Sequence, residues 1–318
     1  MIKIDAYDNK LLYELDEDSR KSASEISKII KLSKVAINQR IKKLQDKKIV
    51  TAFISQINYQ KIGYNVCHAF YKLQNISIQQ EKKFCDYLLQ NNQIGYIAKM
   101  DGNFDLYLVF LYKDNNDMAK LLSEINQKFG KYIKERIILP VVNAEYYGRR
   151  YLTKNNIIKS IKREKEKNII ELDKIDHTLL QILSQNTRIP VTELSKKLKT
   201  TPDVAHYRIK KLVKEGILQK FTINLNHEKF GNLFYKILIN LNYEKNENAF
   251  LSNIKTTSNL IRCVKVIGAW DLELDFEVND AREMREILKK IRENSEEYLK
   301  DCTSLLVYQI DKLNYYPF

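Results

Sequence analysis

Apolar residues recur at helical spacing over about 6–17, where Leu11, Leu12 and Leu15 share one face, and over about 174–185, where Leu179, Leu180 and Leu183 do. A second helix is expected from the capping-box sequence Ser22-Ala-Ser-Glu25 to Ile30. Its counterpart starts near Pro190, a residue suited to a first helical turn. A third helix follows Ser33 and Thr201, whose side-chain oxygens can accept from free backbone N–H groups. In it Ile37, Ile41 and Leu44 repeat at core spacing, as do Ala205, Ile209 and Leu212 in the second copy. Gly216 suits the left-handed cap that ends that helix. Lys48 stands there in the first copy, at a cost of up to about 1 kcal/mol if the conformation is kept.

After each helical trio the pattern changes to β-α-β-β-α-β. Strands are expected at about 64–74, 94–101, 104–112 and 136–145, with helices at about 77–91 and 115–130. In the second half the strands fall at about 232–243, 259–268, 270–278 and 302–312, with helices near 246–256 and 281–299. This order predicts an antiparallel sheet with both helices on one face. One strand alternates strictly: Trp270, Leu272, Leu274, Phe276 and Val278 against Asp271, Glu273, Asp275 and Glu277. The first copy has Asp105, Tyr107, Val109 and Leu111 in the acidic positions, so the copies diverge on one sheet face.

The halves are a duplication. Residues 4–63 fall on 172–231 without a gap, with identities at Asp5/Asp173, Asp8/Asp176, Arg20/Arg188, Glu25/Glu193, Arg40/Arg208, Phe53/Phe221 and Gly63/Gly231. Further on, Gly102–Asp105 (GNFD) meets Gly268–Asp271 (GAWD). The expected division is a helix-turn-helix domain over 1–63, a βαββαβ domain over 64–150 and a basic linker over 151–171. A second pair of domains follows over 172–231 and 232–318. The fold class is α+β.

The net charge of +14 is unevenly spread. It is +5 over 1–63, +4 over 169–231 and +6 over 148–168, against +1 over 64–147 and −2 over 232–318. That partition points to two polyanion-binding modules joined to near-neutral ones. No apolar run is long enough for a membrane span and no secretory signal opens the chain, so a cytoplasmic protein is expected. Cys67, Cys85, Cys263 and Cys302 are far apart, form no CxxC pair, and read as small core hydrophobes. No metal site or cofactor is expected.

Lys34, Val35, Asn38, Gln39, Lys42 and Lys43 are left on the outer face of the third helix, and Asp203, His206, Tyr207, Lys210 and Lys211 on that of its counterpart. Two helices joined by a short turn, the second with a basic outer face, fit the major groove of double-stranded DNA. The lysines would neutralise phosphates, and Asn38, Gln39, His206 and Tyr207 would read bases. Arg40 and Arg208 are either phosphate contacts or structural arginines bonded within the domain. The acidic strand could hold a cation or pair with Lys236 and Lys265 on neighbouring strands. Asp105 and Asp271 could bind an effector or bond the backbone of their own turns.

The order D-x-x-D-x-x-L-L, Arg20 or Arg188, R-I-K-K-L, Phe and Gly63 or Gly231, followed by GNFD or GAWD, resembles the Lrp/AsnC (feast/famine) regulators. The resemblance covers nearly the whole of both copies. It implies a winged helix-turn-helix that binds DNA and a ferredoxin-like (RAM-type) regulatory domain that pairs sheet to sheet. It also implies an effector, often an amino acid, which would make Gly102, Asp105, Gly268 and Asp271 candidate contacts. With two units in one chain, the regulatory domains are expected to pair internally as a pseudo-dimer with two unlike heads, and a further homo-oligomer is possible. Siroheme decarboxylases also resemble this family, but use a His-rich stretch that the segments Tyr96–Asp101 and Arg262–Gly268 lack. That enzyme reading, and a sensor subunit with vestigial heads, stand as alternatives to a non-enzymatic regulator.

Overall fold

The computed structural model describes residues 4–153, 157–163, 168–242, 247–295 and 297–318. The first unit runs α1 (Ala6–Glu17), α2 (Ala23–Ile30), α3 (Lys34–Asp46), β1 (Val50–Ile57), β2 (Asn65–Leu73), α4 (Ile78–Gln90), β3 (Ile94–Asp101), β4 (Leu106–Tyr112), α5 (Asn115–Phe129) and β5 (Ile133–Tyr146). A short β6 (Ile161–Arg163) lies in the connector. The second unit runs α6 (Lys174–Gln185), α7 (Val191–Lys197), α8 (Pro202–Lys214), β7 (Leu218–Leu225), α9 (His227–Phe230), β8 (Leu233–Leu241), α10 (Glu247–Lys255), β9 (Leu260–Val266), β10 (Leu272–Val278), α11 (Ala281–Ser295) and β11 (Leu299–Leu313).

Helix starts follow the capping chemistry. Ser22 and Glu25 form a reciprocal capping box, as do Asp5 and Asp8. Ser33 Oγ accepts from the Ala36 amide, and Thr201 Oγ1 from that of Val204. Lys48 keeps the left-handed conformation of its counterpart, with φ of 55° against 70° at Gly216.

The two heads share their wings. Strands β1 and β7, which hydrophobic periodicity alone did not assign, pair antiparallel with each other. Helix α1 packs on β7, and α6 on β1. Across the pseudo-dyad, Ser19 Oγ and Thr187 Oγ1 lie 2.7 Å apart. Arg20 donates to the Thr187 carbonyl and stacks over Phe221, while Arg188 donates to the Ser19 carbonyl and stacks over Phe53. Two of the repeated identities, Arg20/Arg188 and Phe53/Phe221, therefore make one reciprocal contact twice.

The regulatory halves are four-stranded sheets, ordered β5-β2-β4-β3 and β11-β8-β10-β9. Strand β3 pairs with β11 and β5 with β9, so eight strands close into a barrel with β6 added outside β5. The pseudo-dimer forms within the chain. Helices cover the outside, where Phe84, Leu88, Leu121 and Ile125 pack on one sheet and Phe250, Ile254, Met284 and Ile291 on the other. Phe70, Tyr107, Leu139, Leu238, Trp270 and Leu305 fill the space between the sheets. Gly102 (φ +123°) and Gly268 (φ +137°) sit at the two seams. A Cβ there would come within 2.9 Å of Leu305 and Leu139, in the last strand of the opposite unit.

Element ends differ where cross-unit pairing extends them. Strand β5 runs on to Tyr146 because Val141–Tyr146 pair with β9, and β11 begins at Leu299 opposite Leu241. Helix α11 accordingly ends at Ser295, short of the expected 299. The expected start of α10 at 246 lies outside the described residues, as do 154–156 and 164–167 of the expected linker.

Candidate nucleic-acid interface and barrel cavity

Helices α3 and α8 are held by their buried faces, Ile37, Ile41 and Leu44 in one and Ala205, Ile209 and Leu212 in the other. Their opposite faces are open. Lys34, Asn38, Gln39, Lys42 and Lys43 are exposed, and Val35 is 65% exposed with no apolar cover. In the second head Asp203, His206 and Lys210 are exposed and Tyr207 is 66% exposed. Lys211 is partly covered, with Glu215 at 4.0 Å.

Arg40 and Arg208 take the structural role that the sequence left open. Arg40 Nη1 pairs with Asp5 at 2.9 Å and Asp8 at 2.6 Å, and Arg208 Nη1 with Asp173 at 2.6 Å and Asp176 at 2.9 Å. Each arginine thus ties the third helix to the N-terminus of the first. The Asp173 carboxyl is held below its ordinary value, first by the Asp176 amide and then by Arg208.

The acidic side chains of strand β10 are buried and paired rather than solvated. Glu273, Asp275 and Glu277 point into the barrel and are buried. Lys236 Nζ reaches Glu273 at 2.9 Å and Asp275 at 2.7 Å, and Arg262 Nε reaches Asp275 at 2.6 Å. From the other unit, His68 Nδ1 lies 2.8 Å from Glu273. Burial alone would raise the Glu273 carboxyl, but His68 and Lys236 together hold it below the usual range. Burial also holds His68 below its ordinary value despite Glu273. With Lys236 already balancing the carboxylate, the consistent state is a neutral imidazole donating Nδ1–H. Lys265, the other expected partner, pairs with Glu247 at 2.6 Å instead. Among the described residues no group of three or more His, Cys, Asp or Glu could hold a metal ion. Burial pushes the Cys67 and Cys263 thiols up to about 12, in keeping with inert core positions.

The Gly-x-aromatic-Asp turns favour the backbone role. Asp105 accepts from the Leu73 amide at 2.6 Å and from Lys72 Nζ at 2.9 Å, and Asp271 accepts from the Leu241 amide at 2.8 Å. Gly102 and Gly268 carry the positive φ that the turns require.

A cavity of about 180 Å³ lies between the shared wing sheet and the barrel interior. Gln56 and Gln60 enter from the first wing and its following turn, Lys220 from the second wing, and Arg149 and Arg163 from the connector. His68 and His227 also line it. None of these was singled out as a site residue from the sequence. The one signal was the +6 segment 148–168, which reads as a linker until the fold turns two of its arginines inward.

A family model described as the AsnC-type helix-turn-helix domain matches residues 4–45, and a winged helix-turn-helix DNA-binding model matches 172–219. The uncharacterized HTH-type transcriptional regulator PH1916 of Pyrococcus horikoshii is 37% identical over 126 residues, 38% of this chain and 84% of that protein. The chain belongs to the Lrp/AsnC family of transcriptional regulators. LrpC of Bacillus subtilis, an HTH-type transcriptional regulator, is a more distant relative, 24% identical over 46% of this chain and 98% of its own length. The crystal structure of the siroheme decarboxylase NirDL matches 98% of this chain and 96% of its own, with a TM-score of 0.62 and 13% identity. That likeness is one of fold, and it spans both units of this Lrp/AsnC protein. As in its relatives, the helix-turn-helix heads make this a DNA-binding regulator. Among the described residues, no helix is long and apolar enough to cross a membrane.

Proposed function

We propose that this regulator reads an operator with two unlike half-sites, one for each head, and works in the cytoplasm under control of a small-molecule effector. The observation carrying this is a shared scaffold with different outer faces: Val35, Asn38 and Gln39 on α3 against Asp203, His206 and Tyr207 on α8. An amide can bond adenine bidentately, whereas a carboxylate favours a cytosine amino group and repels phosphate. Lys34, Lys42, Lys43, Lys210 and Lys211 contribute sequence-independent affinity through phosphates. Arg40 and Arg208 fall outside the proposed contact set, because their acidic partners already engage them. Selection of bound duplexes from a random pool tests the proposal. An asymmetric motif is expected; a palindromic one refutes the two-site reading. Binding that is absent in dilute buffer, or insensitive to salt, favours vestigial heads.

A second reading rests on the full-length fold likeness to a siroheme decarboxylase and on the two cavity-lining histidines, His68 and His227. That protein has also been solved with an iron-uroporphyrin III analogue. Titration with siroheme decides the matter. No Soret shift and no decarboxylated product remove the enzyme reading.

A further inference from the structure

The barrel cavity differs from a packing defect. Its volume of about 180 Å³ far exceeds the roughly 10–15 Å³ that one water needs. Cavities that stay empty in proteins are apolar; this one has charged and amide walls from three separate parts of the chain.

Its charges are almost, but not fully, balanced from within. Arg149 pairs with Asp16 and Glu277, Arg262 with Asp275, and Lys220 with Asp16. Arg163 differs. It is 9% exposed, and Nε donates to Gln219 at 3.1 Å while Nη2 has no hydrogen-bond partner. Its guanidinium is fixed over the rings of Tyr59 and Tyr146, at 5.4 and 4.8 Å from their centroids. Among the described residues no carboxylate pairs with it. Gln56 Oε1 and Gln60 Oε1 are also buried without a donor, each on a side chain 8% exposed. A cation without a carboxylate partner among the described residues and two unused acceptors thus line one cavity. Buried groups of this kind are rare unless something else satisfies them.

We propose that the cavity is a binding site for a small amino- or hydroxy-carboxylic acid, its carboxylate on Arg163 and its N–H or O–H donors on Gln56 and Gln60. A planar fork with a free Nη2 suits carboxylate oxygens. The site is distinct from the Gly-x-aromatic-Asp turns and does not depend on DNA recognition by the heads. It does touch them, because Gln56 belongs to β1 and Lys220 to β7.

Isothermal titration of the full chain without DNA is the test, using the twenty protein amino acids, lactate, and succinate as an acid without donors. At least one amino or hydroxy acid is expected to bind at one site per chain, more tightly than succinate. Arg163→Met should weaken it tenfold or more, the loss of one charge-assisted contact, with circular dichroism confirming the fold. Should that variant not fold, Gln60→Leu serves, with a smaller but measurable loss. The proposal is overturned if no acid of the panel binds, if succinate binds as tightly as the others, or if binding survives the folded variants unchanged. Because DNA is absent, failure here leaves the operator reading untouched, and the reverse also holds.

Discussion

The two halves of the barrel present opposite chemistry at equivalent positions. Phe70, Tyr96, Tyr107, Val109 and Leu111 of the first unit correspond to Lys236, Arg262, Glu273, Asp275 and Glu277 of the second. One wall is aromatic and aliphatic; the other is an ionic network. The walls fit because they are unlike: Lys236 Nζ lies 4.5 Å from the Tyr107 ring centroid, and Glu273 meets His68. A dimer of identical chains could not arrange this, since a two-fold interface puts the same residues on both sides. The heads teach the complementary lesson. Where Arg20 and Arg188 exchange the same contacts across the pseudo-dyad, the copies have kept the same residues. Within one chain that symmetry constraint is absent, and the barrel lining and the outward helix faces differ between the copies.

The largest effect should come from the ionic wall. Lys236→Met leaves two buried carboxylates without their shared cation and should cost about 3–5 kcal/mol. Phe70→Leu, at the equivalent position, should cost nearer the roughly 1 kcal/mol of a typical single substitution. Urea denaturation of both variants measures the difference, and equal losses would break the contrast between the walls. Next come the heads. Asn38→Ala or Gln39→Ala should cost about 1–3 kcal/mol at one half-site only, and His206→Ala or Tyr207→Ala the same at the other. Competition binding against operators with each half-site scrambled separates the two. Any variant that weakens both half-sites equally contradicts division of labour between the heads.

A smaller effect is expected with pH. Burial holds both His68 and His227 below the ordinary histidine value of 6.5. The unfolded chain therefore binds protons that the folded one refuses, and stability present above that value is lost as pH falls below it. The melting temperature should decline from about pH 7 toward pH 5, and less so in His68→Gln. No change in slope would mean that His68 titrates alike in the folded and unfolded chain. The smallest effect is at the helix caps. Lys48→Gly should stabilise the first head, and Gly216→Lys destabilise the second, by about 1 kcal/mol or less. Thermal denaturation of the pair reads out the opposite signs.

Much of this protein is written in local patterns. Leu11, Leu12 and Leu15 mark one helix, Ser33 and Thr201 start two others, and the alternation after Trp270 marks a strand, because spacing and capping act within a few residues. Comparing the chain with itself exposed the duplication, and with it the heads and their outward side chains. What depends on partners far along the chain was not legible. No periodicity tells β1 to pair with β7, or β3 with β11. The acidic strand reads as solvated or paired until a second sheet closes over it and Lys236 answers it. Arg163 reads as one more linker charge until β6 lays it on β5, against Tyr146. Burial is a property of what lies opposite, and here the residues opposite come from the other half of the duplication.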